Sequence, residues 1–516
     1  MSINQIKAGS IISYIQMFLS VAIGLVYTPI MLRMLGRNEF GLYNTVSSTI
    51  SMLSVLSLGF NSSYIRYFAK YKTQKDEEAI SRLNGLFIVI FCIIGAVALL
   101  CGLFLSFNLR MVFDRGLTDE EYEISKTLML LLTVNLAISF PMSVFQSIIS
   151  AHERFVFLKL LGMLKTVVGP LVTIPLLLWG FRSVGVVSVT LGISLVTDVL
   201  YLVYTKKILG VKFCFSRFEK NLFRDLLVFT SFIALNLIVD QINNNVGKFL
   251  LGRFRGTATV AIYSVGLSLY NYYMLFSTAI SSLFTPRIHH IVNSTKYQLL
   301  QQKVQLTELF MRVGRIQFLI LALIATGMVF FGKEFILLWA GEGYDESYFV
   351  MLLFVLPATI PLIQNIGIEV QRAQNLHRFR SLLYILMAAI NLVATVILCQ
   401  IYGATGAAIG TAISVLVANG VIINIYYHKK CNIDVVCFWK SIFRLSLGLI
   451  FPVVCGGLMK CVIHSTSIGV LAAEILVYAL IYCLSMWVAG MNLYEKNLVM
   501  KTVGRLLPGC LRNGTN

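Results

Sequence analysis

Apolar residues in this chain do not alternate; they come in long runs separated by short charged stretches. Fourteen such runs can be read, over residues 10–32, 40–60, 83–107, 127–150, 155–179, 184–204, 226–251, 257–284, 316–332, 348–370, 381–402, 404–427, 441–463 and 467–489. Their lengths lie near the roughly 20 residues a helix needs to cross hydrocarbon, where each backbone N–H and C=O must be paired within its own segment. The pattern predicts an all-α polytopic membrane protein with about 14 transmembrane helices. The second, seventh and eighth runs carry Ser, Thr and Asn, a polarity for which a lipid-facing helix has no use. The first run lacks a basic start and a small-residue cleavage site, so it reads as a retained helix.

Composition supports the bilayer as solvent: 58% of the 516 residues are hydrophobic and 13% charged, against about 25% charged in soluble domains. A net charge of +19 would suit nucleic acid. No basic block or recognition motif stands apart from the apolar runs, however, and no nucleic-acid partner is expected. Charge placement explains the excess better. With the N-terminus inside and loops alternating, about 30 of the 42 Lys and Arg fall on the cytoplasmic side, in "RYFAKYKTQKDEEAISR", "TKKILGVKFCFSRFEKNLFR", residues 287–315 and "YYHKKCN". The outside loops include the acidic "DRGLTDEEYEISK" and "KEFILLWAGEGYDES". Both termini are then expected in the cytoplasm, with the chain in the cytoplasmic (inner) membrane. The basic loops read first as topogenic and only second as lipid-binding. Six of the ten cysteines, Cys92, Cys101, Cys399, Cys455, Cys461 and Cys483, lie inside apolar runs without metal or redox spacing and read as small hydrophobes; no metal site or other cofactor is expected.

The chain repeats itself. "QSIISAHERFVFLKL" from Gln146 aligns with "QNIGIEVQRAQNLHRF" from Gln364, placing Arg154 on Arg372 and Lys159 on His377 at a shift of 218. "GFRSVGVVSVTLGISLV" from Gly180 then meets "GATGAAIGTAISVLV" from Gly403. At the other end, the corner "LRMLGRNEFGLYN" is echoed by "LLGRFRGTATVAIYS", with Leu35, Gly36 and Arg37 on Leu251, Gly252 and Arg253. The organisation expected is a six-helix bundle over residues 1–210, a second over 211–430, two further helices over 431–490 and a cytoplasmic tail over 491–516. An even number of spans separates the copies, so they share one orientation and are related by an axis along the membrane normal. Two such bundles can enclose a cavity and rock to open it alternately, which is transporter architecture. The small residues of "GATGAAIGTA" read as close helix packing.

The "LGRNEFGLYN" corner, "LGFNSSYIRYFAKY", "VDQINNNVGKFLLG" and the small-residue twelfth span together resemble the oligosaccharide flippases of polysaccharide biosynthesis, over nearly the whole chain. Their superfamily also holds multidrug and toxic compound extruders and lipid II flippases. The resemblance implies two six-helix bundles in a V around a central cavity, plus alternating-access transfer of an undecaprenyl-diphosphate-linked oligosaccharide from the inner to the outer leaflet. It implies membrane lipid as surroundings, with a polysaccharide polymerase and chain-length machinery as candidate partners. Lipid II flippases carry an arginine within the first span; "SIISYIQMFLSVAIGLVYTPIML" has none.

Ionisable side chains in hydrocarbon are costly and so mark candidate sites. Asp198, Asp240, Glu369 and Glu474 fall within the runs, with Glu474 in the appended pair, outside the expected main cavity. In the seventh run Asp240, Asn244 and Lys248 stack four apart, beside Asn243, as a polar stripe. The amides could hold sugar hydroxyls, and Lys248 and Arg253 could attract phosphate; the alternative is a network that only fixes packing. Lys165 has no acidic neighbour on its own helix, and must meet a partner elsewhere, face a cavity or snorkel; the following Gly169 and Pro170 mark a helix that can flex. Asp198 either pairs with Lys165 or, like Asp240, is a candidate for coupling to H+ or Na+. Tyr270 and Asn271 are candidates for stacking on or bonding to sugar rings. Arg66 and Lys70 are candidates for a diphosphate entrance, and Glu369 with Arg372 for a gate element.

An enzyme is not expected, since no nucleophile, paired-carboxylate or phosphate-loop constellation appears and the longest outside loop is about 20 residues. A cation-coupled multidrug antiporter and a lipid II flippase are the nearer rivals, and a membrane-embedded polymerase a more distant one. The excess of cationic cavity candidates favours an anionic diphosphate substrate over cationic drugs.

Overall fold

A computed structural model of the chain describes residues 5–113, 117–215, 220–293, 299–374, 376–462 and 467–506. The last ten residues of the expected tail, 507–516, lie outside the described residues. Among the described residues the regular elements are helices, with no strand. In chain order the α-helices are α1 (Gln5–Met52), α2 (Phe60–Gln74), α3 (Glu77–Phe107), the single turn α4 (Leu109–Val112), α5 (Asp119–Ala151), α6 (Phe155–Leu178) and α7 (Arg182–Val203). They continue with α8 (Lys220–Gln241), α9 (Gly247–Phe254), α10 (Thr257–Ser282), α11 (Thr285–Asn293), α12 (Leu299–Ala340), α13 (Glu346–Ile363) and α14 (Ile366–Ala373). The remainder are α15 (His377–Val415), α16 (Ile423–Lys429), α17 (Val435–Ser446), α18 (Ile450–Val462), α19 (Ile468–Ser485) and α20 (Leu493–Leu506).

Large apolar side chains such as Phe18, Leu100, Phe104, Leu382 and Leu476 stand exposed on the helix surfaces, as expected where lipid is the solvent. Ten segments among the described residues are long and apolar enough to cross a membrane. Two of these, Ile11–Gln74 and Arg378–Lys429, run to 64 and 52 residues, far beyond the roughly 20 that one crossing uses. Each is broken by a glycine at positive φ, Gly36 (φ 75°) and Gly403 (φ 59°). The Ser-, Thr- and Asn-bearing runs that became α8 to α10 are not among the ten, so the count of about fourteen crossings rests on the sequence pattern.

The chain forms two compact units, Met1–Ser268 with Ser381–Ser414, and Leu269–Arg380 with Val415–Asn516. In the first, α1 packs along α5, α6, α7 and α9, and α3 along α5. Its core holds one cluster around Tyr64, Phe87, Phe91 and Ile148 and another around Leu42, Leu109, Leu128 and Val187. In the second, α12 is the axis: α13, α17 and α19 pack on it, with Phe331, Leu471 and Tyr478 buried together. The two appended spans of the sequence reading thus belong to the packing around α12.

Helix starts follow local chemistry. Thr118 and Glu121 form a reciprocal capping box at α5, and Asp76 and Asp434 accept from the backbone at the starts of α3 and α17. The corner "LRMLGRNEFGLYN" is tighter than a hairpin loop. Helix flanks Gly36 on both sides, so this single residue makes the bend. Gly41 takes no part in the turn; a Cβ there would stand 1.8 Å from the Thr257 carbonyl oxygen, so it permits close packing instead.

Candidate functional site

Within the first unit, α6 and α7 lie side by side. They bring Lys165 and Asp198 near enough for each charge to act on the other. Asp198 is only 9% exposed, and Tyr201, buried one turn further along α7, also lies in its field. A carboxylate inside apolar helices needs such a partner to stay ionised. Of the three options the sequence left for Lys165, the structure sets an opposite charge on the neighbouring helix, although the two side chains form no ion pair among the described residues. Pro170 and Pro175 each remove a backbone donor from α6, and Thr173 donates its hydroxyl to the Gly169 carbonyl at 2.8 Å. Gly169 itself faces open space.

The seventh run does not continue as one regular helix. Between α8 and α9 it widens into a π-turn over Ile242–Val246, so the four-residue stacking that the sequence pattern assumed stops there. Asn244 donates its amide to the Asp240 carbonyl at 2.8 Å, while Gln241 pairs with Asn245. Asp240 and Lys248 form no ion pair among the described residues, and Lys248 is half-buried on α9. Asn243, on the same turn, accepts from Asn391 of α15 at 3.5 Å. Asn391 also reaches Thr411 at 3.5 Å and accepts from Thr395 at 3.2 Å; Asn391 and Thr395 are both buried. Asn391 and Thr395 thus bring an amide and a hydroxyl into the interior of the unit. Sequence reading missed Asn391 and Thr395, although their four-residue spacing inside an apolar run was a usable signal. Gly406 and Gly410 pack the two limbs of α15 together against Leu398 and Thr395, which is the packing role expected of "GATGAAIGTA".

The other candidates are distributed. Arg253 is half-buried beside the Phe254 ring, 5.9 Å away, and Arg66 and Lys70 are exposed on α2, with Lys70 5.9 Å from the Tyr71 ring. Tyr270 and Asn271 fall in the second unit rather than with the asparagines of the π-turn. Tyr270 stacks on Phe354 with ring centroids 5.4 Å apart, and Asn271 is exposed. Glu369 and Arg372, on α14, pair with each other at 2.6 Å. Among the described residues no three His, Cys, Asp or Glu gather as metal ligands.

Four polar arrangements were not anticipated from the sequence. In the first unit, Glu39 accepts from the backbone and hydroxyl of Ser183, and Arg255 donates to carbonyls at the bend of α15. In the second, Lys460 of α18 pairs with Glu334 of α12, and Arg315 is buried against Glu495 of α20. All four join residues more than 120 positions apart, a separation that spacing cannot reveal.

The family model described as polysaccharide biosynthesis protein matches residues 6–291, more than half of the chain. The chain belongs to the polysaccharide biosynthesis protein family. The likeness of the corner and the seventh span to the flippases of that process is borne out by this match. A Shigella flexneri protein named "Putative O-antigen transporter" is 20% identical over 409 residues, covering 78% of this chain and 92% of its own. The fold is shared with the lipid II flippase MurJ in an inward closed conformation, with a TM-score of 0.69 at 14% identity over 95% of this chain and 99% of that one. It is also shared with an inward-facing MATE family multidrug resistance transporter of the MOP superfamily, with a TM-score of 0.59 at 15% identity over 82% and 99%. In this polysaccharide biosynthesis protein the matched span takes in both corners, the Lys165–Asp198 pair and the π-turn. Asn391 and the Arg315–Glu495 pair involve residues beyond it.

Proposed function

We propose that this protein moves an undecaprenyl-diphosphate-linked saccharide from the inner to the outer leaflet of the cytoplasmic membrane by alternating access, for surface polysaccharide biosynthesis. One observation carries the reading: the first unit holds an amide and hydroxyl cluster around the buried Asn391, and its neighbouring apolar helices α6 and α7 carry Lys165 and Asp198 within each other's field. An ammonium attracts diphosphate oxygens, and amides and hydroxyls bond to sugar hydroxyls. Family membership and the shared flippase fold support the same reading. On this proposal the chain is a transporter rather than an enzyme, and an H+ or Na+ gradient provides the drive through Asp198 or Asp240. Both termini face the cytoplasm, and a polysaccharide polymerase with its chain-length machinery takes up the product.

The test is leaflet exchange of a polyprenyl-diphosphate oligosaccharide by the purified protein in liposomes. Lys165→Met and Asn391→Ala should each slow exchange about tenfold or more, the loss expected for one interaction made with the translocating group. Wild-type exchange no faster than that of protein-free liposomes would overturn the function. Fast exchange unaffected by either substitution would overturn the proposed chemistry.

A further inference from the structure

In the second unit a cavity of about 440 Å³ opens between Phe284 in the turn before α11, α11 itself, α12 and α20. Its charged wall is made by Arg287 of α11 and Arg312 of α12, with Glu308 the one carboxylate among the lining residues. Its floor is apolar, formed by Ile291, Leu309, Val313 and Ile316. Glu308 pairs with Arg312, whose guanidinium lies 4.8 Å from the Tyr494 ring centroid, and that pairing presents Arg312 at the wall. Arg287 has no hydrogen bond or ion pair among the described residues, so the wall keeps a net positive charge.

The walls are held in place by buried chemistry. Gln302 donates to the carbonyls of Ile291 and Val292 at 3.2 and 2.9 Å, closing the end of α11 onto α12. Arg315 bonds Glu495 through two nitrogens and reaches the Ser441 and Gly490 carbonyls at 3.0 and 3.1 Å, which fixes the start of α20 and with it Tyr494. At 42 residues α12 is about 63 Å long, twice the roughly 30 Å of hydrocarbon that a membrane presents. The cavity lies along its first five turns, where Lys303, Glu308, Arg312 and Arg315 make burial in hydrocarbon untenable. It therefore stands at the level of the lipid headgroups or just beyond.

We infer that this cavity is a binding site for a phosphate-bearing anion, held by the forked guanidinium groups of Arg287 and Arg312 above an apolar floor. Guanidinium matches phosphate oxygens in pairs, and an apolar floor below a cationic wall fits an amphiphile whose phosphate lies at the membrane surface. A lipid headgroup and a soluble phosphate ester share this chemistry. The site does not rest on the transport proposal, because no residue of the Lys165 or Asn391 groups takes part.

The experiment uses the full chain purified in neutral detergent. Native mass spectrometry would measure retention of dioleoylphosphatidylglycerol against dioleoylphosphatidylcholine, and thermal unfolding would be followed with and without inorganic pyrophosphate. Wild-type protein should retain phosphatidylglycerol preferentially. Retention should fall about tenfold in Arg287→Gln and further in Arg287→Gln/Arg312→Gln, with lipid-free unfolding of Arg287→Gln unchanged because that side chain is exposed. An arginine-dependent stabilisation by pyrophosphate without lipid retention would support the anion site and assign its source to soluble phosphate. Equal retention of both lipids with no pyrophosphate effect, or binding of either anion unchanged in the double variant, would overturn the inference. Leaflet exchange by Arg287→Gln should stay at the wild-type rate, which separates this site from the transport reading.

Discussion

Glu39 and Arg255 occupy the same place in the two copies of the corner, 216 positions apart like Leu35 and Leu251, yet they cap opposite ends of helices. Glu39 Oε1 accepts from the Ser183 N–H at 2.8 Å and its hydroxyl at 2.6 Å, at the start of α7, where no local side chain caps the helix. Arg255 donates to the carbonyls of Cys399 at 3.3 Å and Ile401 at 2.9 Å, and to that of Gln400, where the first limb of α15 ends before Gly403. Helix starts leave N–H groups and helix ends leave carbonyls unpaired, with matching partial charges, so an acid suits the first and a base the second. The repeat has kept the place and reversed the charge.

Reversing either charge should therefore cost more than removing it. Glu39→Gln and Arg255→Gln should each destabilise by about 1 kcal/mol, and Glu39→Lys and Arg255→Glu by about 2 kcal/mol or more. Because the two caps serve different helices, the neutral pair should add within about 0.5 kcal/mol. Thermal unfolding of the purified variants checks both statements; equal effects of neutral and reversed variants would remove the electrostatic explanation.

Two glycines should respond oppositely to alanine. Gly41→Ala drives a methyl into the Thr257 backbone and should cost about 3 kcal/mol or more, since backbone on both sides has nowhere to go. Gly169→Ala meets open space and should stabilise α6 by about 0.5–1 kcal/mol. If flexing of α6 beside Pro170 contributes to transport, the same Gly169→Ala protein should exchange lipid more slowly while melting higher. Faster exchange from the stiffer helix would contradict that role.

The Arg315–Glu495 pair is buried on both sides, at 10% and 3% side-chain exposure. Glu495→Ala leaves a buried guanidinium without its counter-ion and should cost about 3–5 kcal/mol. Arg315→Lys should rescue little, because a lysine cannot reproduce the forked bonds to Glu495, Ser441 and Gly490. Limited proteolysis near α20 offers a local readout: release of the C-terminal helix should accompany the loss.

His152 lies outside the apolar spans, at the end of α5. Its ring packs 4.7 Å from that of Phe68, and Nδ1 is 2.8 Å from the Ile148 carbonyl. Burial, reinforced by Lys72 and Arg154, holds its pKa below the usual 6.5, although the Ile148 bond opposes the shift. The unfolded chain then binds the proton more readily than the folded one, so this residue's contribution is intact above about pH 6.5 and is lost as pH falls towards the folded pKa. The unfolding midpoint of the wild type should drop across that window, and His152→Gln should flatten the drop. An identical pH profile in the variant would assign the dependence elsewhere.

The sequence by itself determined the solvent, the helical class and the family, because each is written in local patterns. Runs of apolar residues specify helices in lipid, and "LGRNEFGLYN" is among the stretches that carry the likeness to the family. It also pointed to Lys165, Asp198 and the asparagines of the seventh run, since polar groups stand out against a greasy background. Tertiary structure alone decided which of these meet. Lys165 found Asp198 across a helix interface, Asn243 found Asn391 at a separation of 148 residues, and the π-turn redirected a stripe that ideal periodicity had drawn straight. Glu39 and Arg255 carry no mark in the sequence pattern, and only the fold sets each against the open end of a distant helix. Spacing along a chain encodes neighbours on one helix; which helix ends come to lie beside a given side chain depends on packing between segments, and no local pattern records it.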